Sequence, residues 1–288
     1  MGNGLAGRVP HYAYAYYLWA RSWIWGGSRK KDGGEAVRDG LPVPPPHLRY
    51  RVHGAADAAG FLCVGRRCAH DVREILKSNG CEADGFNRVL DFGCGCGRVA
   101  RFLYPPDASP ETSLYGTDVD PQAIRWCRRN LPFGRWAVNG EHPPTRYEDG
   151  SFDLVYAISV FTHLSEALQG EWLDELRRVL KPGGLLLATF HGEAFAAKLN
   201  PDEASRLDKA GSLFTRTRGS GVKLDGLPNY YQTTFHRREY IEKTWGKSLS
   251  IIEYRPKGMN RMQDAVLLKK GAVSAPVPAE VIRRPAGG

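Results

Sequence analysis

The segment Val89-Leu90-Asp91-Phe92-Gly93-Cys94-Gly95-Cys96-Gly97-Arg98-Val99-Ala100-Arg101 constrains the chain more than any other. It reads as a buried strand that turns through three alternate glycines into the start of a helix. Glycine has no Cβ and tolerates positive φ, so such a turn lets a ligand approach the main chain. Through the body of the chain, short apolar runs alternate with helical periodicity, the pattern of βαβ units and a parallel sheet. Strands are expected near Val89–Phe92, Ser113–Thr117, Trp136–Val138, Phe152–Ile158 and Leu185–Phe190. The clearest helix covers Ala167–Leu180, where Leu168, Trp172, Leu176 and Leu180 recur every four residues. Lys181-Pro182-Gly183-Gly184 is expected to stop it. Ser248–Tyr254 and Ala265–Lys269 read as an antiparallel strand pair at the sheet edge.

With 288 residues, 42% apolar and 25% charged, the chain can bury the core of one large α/β domain. Its ends differ from that body. Residues 1–46 read as an arm and linker: Arg8, Arg21, Arg29, Lys30 and Lys31 stand among Tyr12, Tyr14, Tyr16, Tyr17, Trp19, Trp23 and Trp25, with no acid before Asp32. Arg21 breaks the apolar run well short of the roughly 20 residues a membrane span needs. The arm suits packing on its own domain or on a partner subunit, the favoured reading, with an anionic membrane surface as the alternative. Pro42, Pro44, Pro45 and Pro46 stiffen the linker, the folded domain is expected over 47–270, and 271–288 reads as a disordered tail. Cys63, Cys68, Cys81, Cys94, Cys96 and Cys127 have neither disulfide-framework nor zinc spacing. They are read as reduced thiols of a cytoplasmic protein, membrane-associated if the arm engages a bilayer, and no metal site is expected.

Two details of the glycine turn narrow its ligand. A dinucleotide fingerprint is spaced G-x-G-x-x-G, whereas here the glycines fall at 93, 95 and 97 and Arg98 stands in the third glycine's place. Asp91, two residues before the first glycine, would repel a phosphate and welcome an ammonium. Downstream come Tyr115-Gly116-Thr117-Asp118-Val119-Asp120, Glu148-Asp149-Gly150-Ser151-Phe152-Asp153-Leu154-Val155, Ser159-Val160-Phe161-Thr162-His163-Leu164 and Leu180-Lys181-Pro182-Gly183-Gly184. Taken in order, these segments resemble the class I S-adenosylmethionine-dependent methyltransferases from about Val89 to Phe190, and more loosely to Lys270.

The resemblance implies an α/β, Rossmann-like fold: a seven-stranded, mostly parallel sheet with an antiparallel last strand, helices on both faces and a lid insertion over 192–236. It implies S-adenosylmethionine as cofactor. Asp91 and the backbone of Gly93, Cys94, Gly95 and Gly97 would hold the methionine end, and Asp118 with Val119 would meet the ribose. Asn139 is the preferred adenine contact, with Glu141 as the other candidate. Ser159 and Val160 would lie beside the sulfonium. Asp120, just before Pro121, reads instead as a helix cap.

A methyl donor of this kind leaves the protein to align an acceptor atom and, for a hydroxyl, to take up a proton. His163 and His191 follow the fourth and fifth strands and are the candidate bases. Tyr230, Tyr231 and His236, in the insertion, are the candidate acceptor contacts, against the alternative that they are aromatic core of the lid. The segment Pro45–Phe61 is expected to close over the site. The acceptor is read as a small molecule, sugar or natural product methylated on O or N. A peptide or lipid-linked acceptor, or a non-catalytic cofactor-binding subunit, is the alternative. Lys and Arg outnumber Asp and Glu by 40 to 31, yet no recognised nucleic-acid motif accompanies the excess.

Overall fold

The computed structural model describes residues 39–106, 112–215 and 232–271. The arm before Asp39, the tail after Gly271, and both Tyr230 and Tyr231 lie outside the described residues. A short helix α1 (Pro46–His53) and a long α2 (Ala58–Ser78) precede the first strand, β1 (Arg88–Phe92). Then follow α3 (Ala100–Leu103), β2 (Ser113–Asp118), α4 (Pro121–Asn130), β3 (Gly134–Val138), β4 (Phe152–Ala157) and α5 (Glu166–Val179). The remainder is β5 (Leu180–Phe190), α6 (Glu193–Ala196), α7 (Pro201–Ala210), β6 (Ser212–Thr215), β7 (Thr233–His236), α8 (Arg238–Thr244), β8 (Ser250–Met259) and β9 (Gln263–Lys269).

Seven of the strands form one sheet in the order β3-β2-β1-β4-β5-β9-β8. β1 to β5 pair in parallel, and β9 runs against both of its neighbours. Sequence alternation explains how both faces come to be buried. Val89 joins a core with Val72 and Leu76 of α2 and Ile124 of α4, whereas the next residue, Leu90, joins Trp172 and Leu176 of α5 on the opposite face. The strand order reverses direction between β1 and β4. Such a switch point opens a crevice at the carboxyl ends of the strands.

The expected strands and edge pair are present, with three differences in their limits. α5 ends at Val179, one residue before the expected limit, and Leu180 already pairs with Phe152, so Lys181-Pro182-Gly183-Gly184 follows the helix as the opening of β5. Gly183, at φ 80°, sits in that irregular start, and its N–H bonds to Lys270 O. The first part of the insertion holds two helices and not one, because Asn200 and Glu203 form a reciprocal capping box and Pro201 begins a new helix. Finally, the folded unit starts before residue 47. Arg101, fully buried, is satisfied by Asp39 at 2.5 and 2.8 Å and by the carbonyls of Leu41 and Pro42. A buried guanidinium needs such partners, so residues 39–45 belong to the domain and not to a linker.

Candidate cofactor cleft

A cleft of about 1020 Å³, counted out to open solvent, lies at the carboxyl ends of β1, β2 and β4. Its floor is the glycine turn. Gly93, Gly95 and Gly97 adopt φ of 76°, 52° and 67°, conformations that carry little cost only for glycine. The N–H groups of Gly93 and Cys94 both bond to Thr117 O, at 2.8 and 2.9 Å, which fixes the turn onto the end of β2. At Gly93 a Cβ would stand 2.3 Å from Val160 Cγ2, so the loop after β4 packs directly on the turn.

Asp91, Gly93, Cys94 and Gly95 line the cleft, as do Asp118, Val119, Asn139, Ser159 and Val160. Gly97 does not. Its Cβ position points to Leu131 Cδ1, 2.4 Å away, so it is the glycine that lets α3 pack on the core and is removed from the ligand-contact set. Asp120 both lines the cleft and caps α4, accepting from Gln122 N.

The two carboxylates below the turn differ in their partners. Asp118 is already engaged: Oδ2 accepts from Gly95 N and Oδ1 from Asp120 N, each at 2.8 Å. Burial pushes its carboxyl up to about 6 against the opposing pull of those N–H groups. Asp91 is 3% exposed, and its Oδ2 has no hydrogen-bond partner within the chain. Burial, with the Asp118 charge adding to it, raises the Asp91 carboxyl to about 8, while Tyr156 and Arg98 act in the other direction. A buried carboxylate left this way is costly until a cation or donor meets it. Asn139 Oδ1 is likewise buried without a partner while its Nδ2 bonds to Gly140 O.

Several wall residues escaped the sequence reading. Arg51 and Val52 of α1 close one side, as the expectation for Pro45–Phe61 required in outline. Arg51 is tied to Asp120 Oδ2 at 2.7 Å, and a Cβ on Gly95 would meet Val52 Cγ2 at 2.7 Å. Trp172 and Leu164 supply an apolar wall, with Trp172 Nε1 donating to Glu141 O. The helical pattern marked Trp172 as core, and nothing local distinguishes a core tryptophan that also faces a ligand.

The histidines lie outside this wall. His163 and His191 follow β4 and β5 at the same end of the sheet, with ring centroids 6.3 Å apart. His163 Nδ1 contacts Gln232 O at 2.7 Å, and His191 Nδ1 is buried with no partner. Burial, aided by His163, lowers His191 to about 4, so it is neutral at pH 7. His236 is fully buried, pairs its Nε2 with Gln169 Oε1 at 3.0 Å, and falls to about 3 through burial. It is therefore a core residue under the β6–β7 hairpin and presents no surface to an acceptor.

Doubly wound order, a glycine turn over a buried carboxylate and an acid ending β2 are the arrangement of a Rossmann-like methyltransferase fold. Residues 90–188 match the family model described as a methyltransferase domain, so this part of the chain is an S-adenosylmethionine-dependent methyltransferase domain of Rossmann-like fold. Similar curated proteins include the tRNA N(3)-methylcytidine methyltransferase of Schizosaccharomyces pombe, 24% identical over 64% of this chain and 56% of that one. The glycine/sarcosine/dimethylglycine N-methyltransferase of Actinopolyspora halophila is 26% identical over 58% of this chain and 30% of that one. The sterol 24-C-methyltransferase of S. pombe is 36% identical over 34% and 26%. The chain thus spans between about a quarter and just over half the length of these relatives. A chain of the complex that contains the Haloferax volcanii Trm112 methyltransferase activator superposes with a TM-score of 0.51 at 14% identity, over 80% of this chain and all of that one, a likeness of fold alone.

Proposed function

We propose that the protein transfers the methyl group of S-adenosylmethionine to an O or N atom of a small-molecule, sugar or natural-product acceptor. The observation that carries this reading is the buried Asp91 carboxylate, with its Oδ2 lacking a hydrogen-bond partner within the chain, beneath a glycine turn whose neighbour Asp118 is fixed at the end of β2. The bound cofactor supplies a methyl group already activated by its sulfonium. Asp91 would compensate the ammonium of the methionine end, Asp118 would use its remaining lone pairs on the ribose, and Asn139 would offer Oδ1 to the adenine amine. Trp172 and Leu164 would exclude water from the ring. Ser159 and Val160 would border the reacting end, where alignment of the acceptor is the main task of the site.

The relatives named above act on a tRNA cytidine, on glycine and its methylated forms, and on a sterol. A non-catalytic cofactor-binding subunit is the alternative that an intact glycine turn also permits. Calorimetric titration with S-adenosylmethionine and S-adenosylhomocysteine tests the cofactor, and methylated product from a panel of acceptors tests catalysis. Binding of NADH with no response to either sulfur ligand would overturn the reading.

His191 is the preferred base, since it is neutral at pH 7 and has a buried nitrogen with no partner. His191→Ala should lower kcat on a hydroxyl acceptor by about 100-fold with a much smaller change in KM. An unchanged rate at saturating acceptor would make it a structural histidine.

A further inference from the structure

Ser159 adopts φ 62° at the point where β4 ends in the cleft wall. A non-glycine residue in the left-handed region costs on the order of 1 kcal/mol and persists where its surroundings over-determine it. Here the surroundings come from two other strands. Ser159 N donates to Thr189 Oγ1 of β5 at 2.8 Å, and the Thr189 hydroxyl donates to Gln263 Oε1 of β9 at 2.7 Å. The circuit closes where Gln263 Nε2 meets Ser159 Oγ at 2.8 Å. Thr189 is fully buried, so bulk water does not replace these bonds.

The residue after Ser159 is Val160, whose Cγ2 occupies the space a side chain on Gly93 would fill. A change in the Ser159 backbone therefore moves the group that packs on the glycine turn. We infer that Gln263, which lies outside the cleft wall and in the antiparallel last strand, is a positioning residue for the cofactor: through Thr189 and Ser159 it fixes the left-handed turn that seats Val160 against Gly93. This rests on the methyltransferase reading of the cleft. It assigns to the β8–β9 hairpin a role in cofactor affinity besides closing the sheet edge.

The experiment compares S-adenosylhomocysteine binding in four proteins: wild type, Gln263→Met, Ser159→Gly, and the double variant. Methionine keeps the volume of glutamine and removes both amide functions, so the hairpin packing is preserved. Glycine at 159 adopts φ 62° at little cost and no longer depends on the circuit. Gln263→Met should weaken binding about tenfold in the wild-type background and twofold or less in the Ser159→Gly background. An equal loss in both backgrounds marks a general packing effect and overturns the inference. So does an unchanged affinity in Gln263→Met. Wild-type protein that binds no S-adenosylhomocysteine overturns the cofactor reading as well, which separates the two failures.

Discussion

Asp91→Asn is expected to weaken S-adenosylmethionine binding by about 30- to 100-fold, the loss of a charge-assisted contact worth ~2–3 kcal/mol, while making the empty protein more stable at alkaline pH. The two effects have one cause. In the fold the Asp91 carboxyl titrates at about 8, whereas an ordinary aspartate titrates at 3.8. Between those values the folded chain retains a proton that the unfolded chain has released, so stability falls as pH rises from about 4 to about 8. Above pH 8 the full cost of the buried charge is present, on the order of 6 kcal/mol as an upper figure. Asparagine removes the titration. Thermal melts of wild type and variant should coincide near pH 4 and diverge toward pH 8, the variant melting several degrees higher. Calorimetry should show the wild-type affinity for the cofactor rising through pH 8 and the variant lacking that rise. Equal melting at pH 8 would mean that Asp91 is compensated within the chain, and its role toward an ammonium would fall with it.

The second large effect belongs to Asp118→Ala. A surface-facing ribose ligand could be removed with the fold untouched, and from the sequence this is the natural expectation for an acid after a strand. The structure gives the side chain a second duty, because its oxygens accept from Gly95 N and Asp120 N. Alanine leaves both donors without their partner and frees the middle of the glycine turn. Each broken bond to a carboxylate is worth ~1.5–3 kcal/mol and relief of the buried charge offsets part of the pair's loss, so a stability loss of about 2–4 kcal/mol should accompany a cofactor affinity lowered by more than about 30-fold. Asp118→Asn retains one carbonyl acceptor and should recover part of the stability, with less recovery of binding. Full affinity in Asp118→Ala, measured at a temperature where the variant is folded, would remove Asp118 from the ribose contact.

These two carboxylates show where sequence reasoning reached and where it stopped. Asp91 and Asp118 were legible because they sit at fixed offsets from a glycine turn and a strand end, and the alternation of strand-length apolar runs with helical periodicity pointed to the parallel sheet. The limits of elements were less legible. Leu180 fits the helical repeat of Leu168, Trp172 and Leu176, yet its pairing with Phe152 takes it into β5, a tertiary choice that the local pattern does not record. Gly97 continues the alternate spacing of Gly93 and Gly95, but its direction is set by Leu131, on the far side of α4. His236 looked like a polar-tipped residue of a lid until Gln169, far back in the chain, was seen to satisfy it in the core. Arg101 depends in the same way on Asp39, at a separation no periodicity can reveal.

The insertion that carries β6 and β7 is seated largely through its main chain, with Thr234 Oγ1 donating to Leu164 O and His236 pairing with Gln169 beside it. Gln232 N bonds to His163 O, Thr234 N to Thr162 O and His236 N to His191 O. Main-chain bonds are indifferent to side-chain identity, so this seat survives replacement of the residues that do not fill the core beneath it. The domain is in that sense modular: donor recognition is encoded in the glycine turn and the strand ends, while the sequence of the insertion is free to diverge without unseating it. Replacement of residues in the insertion should leave this seat in place as long as His236 keeps its Gln169 partner, which lies outside the insertion.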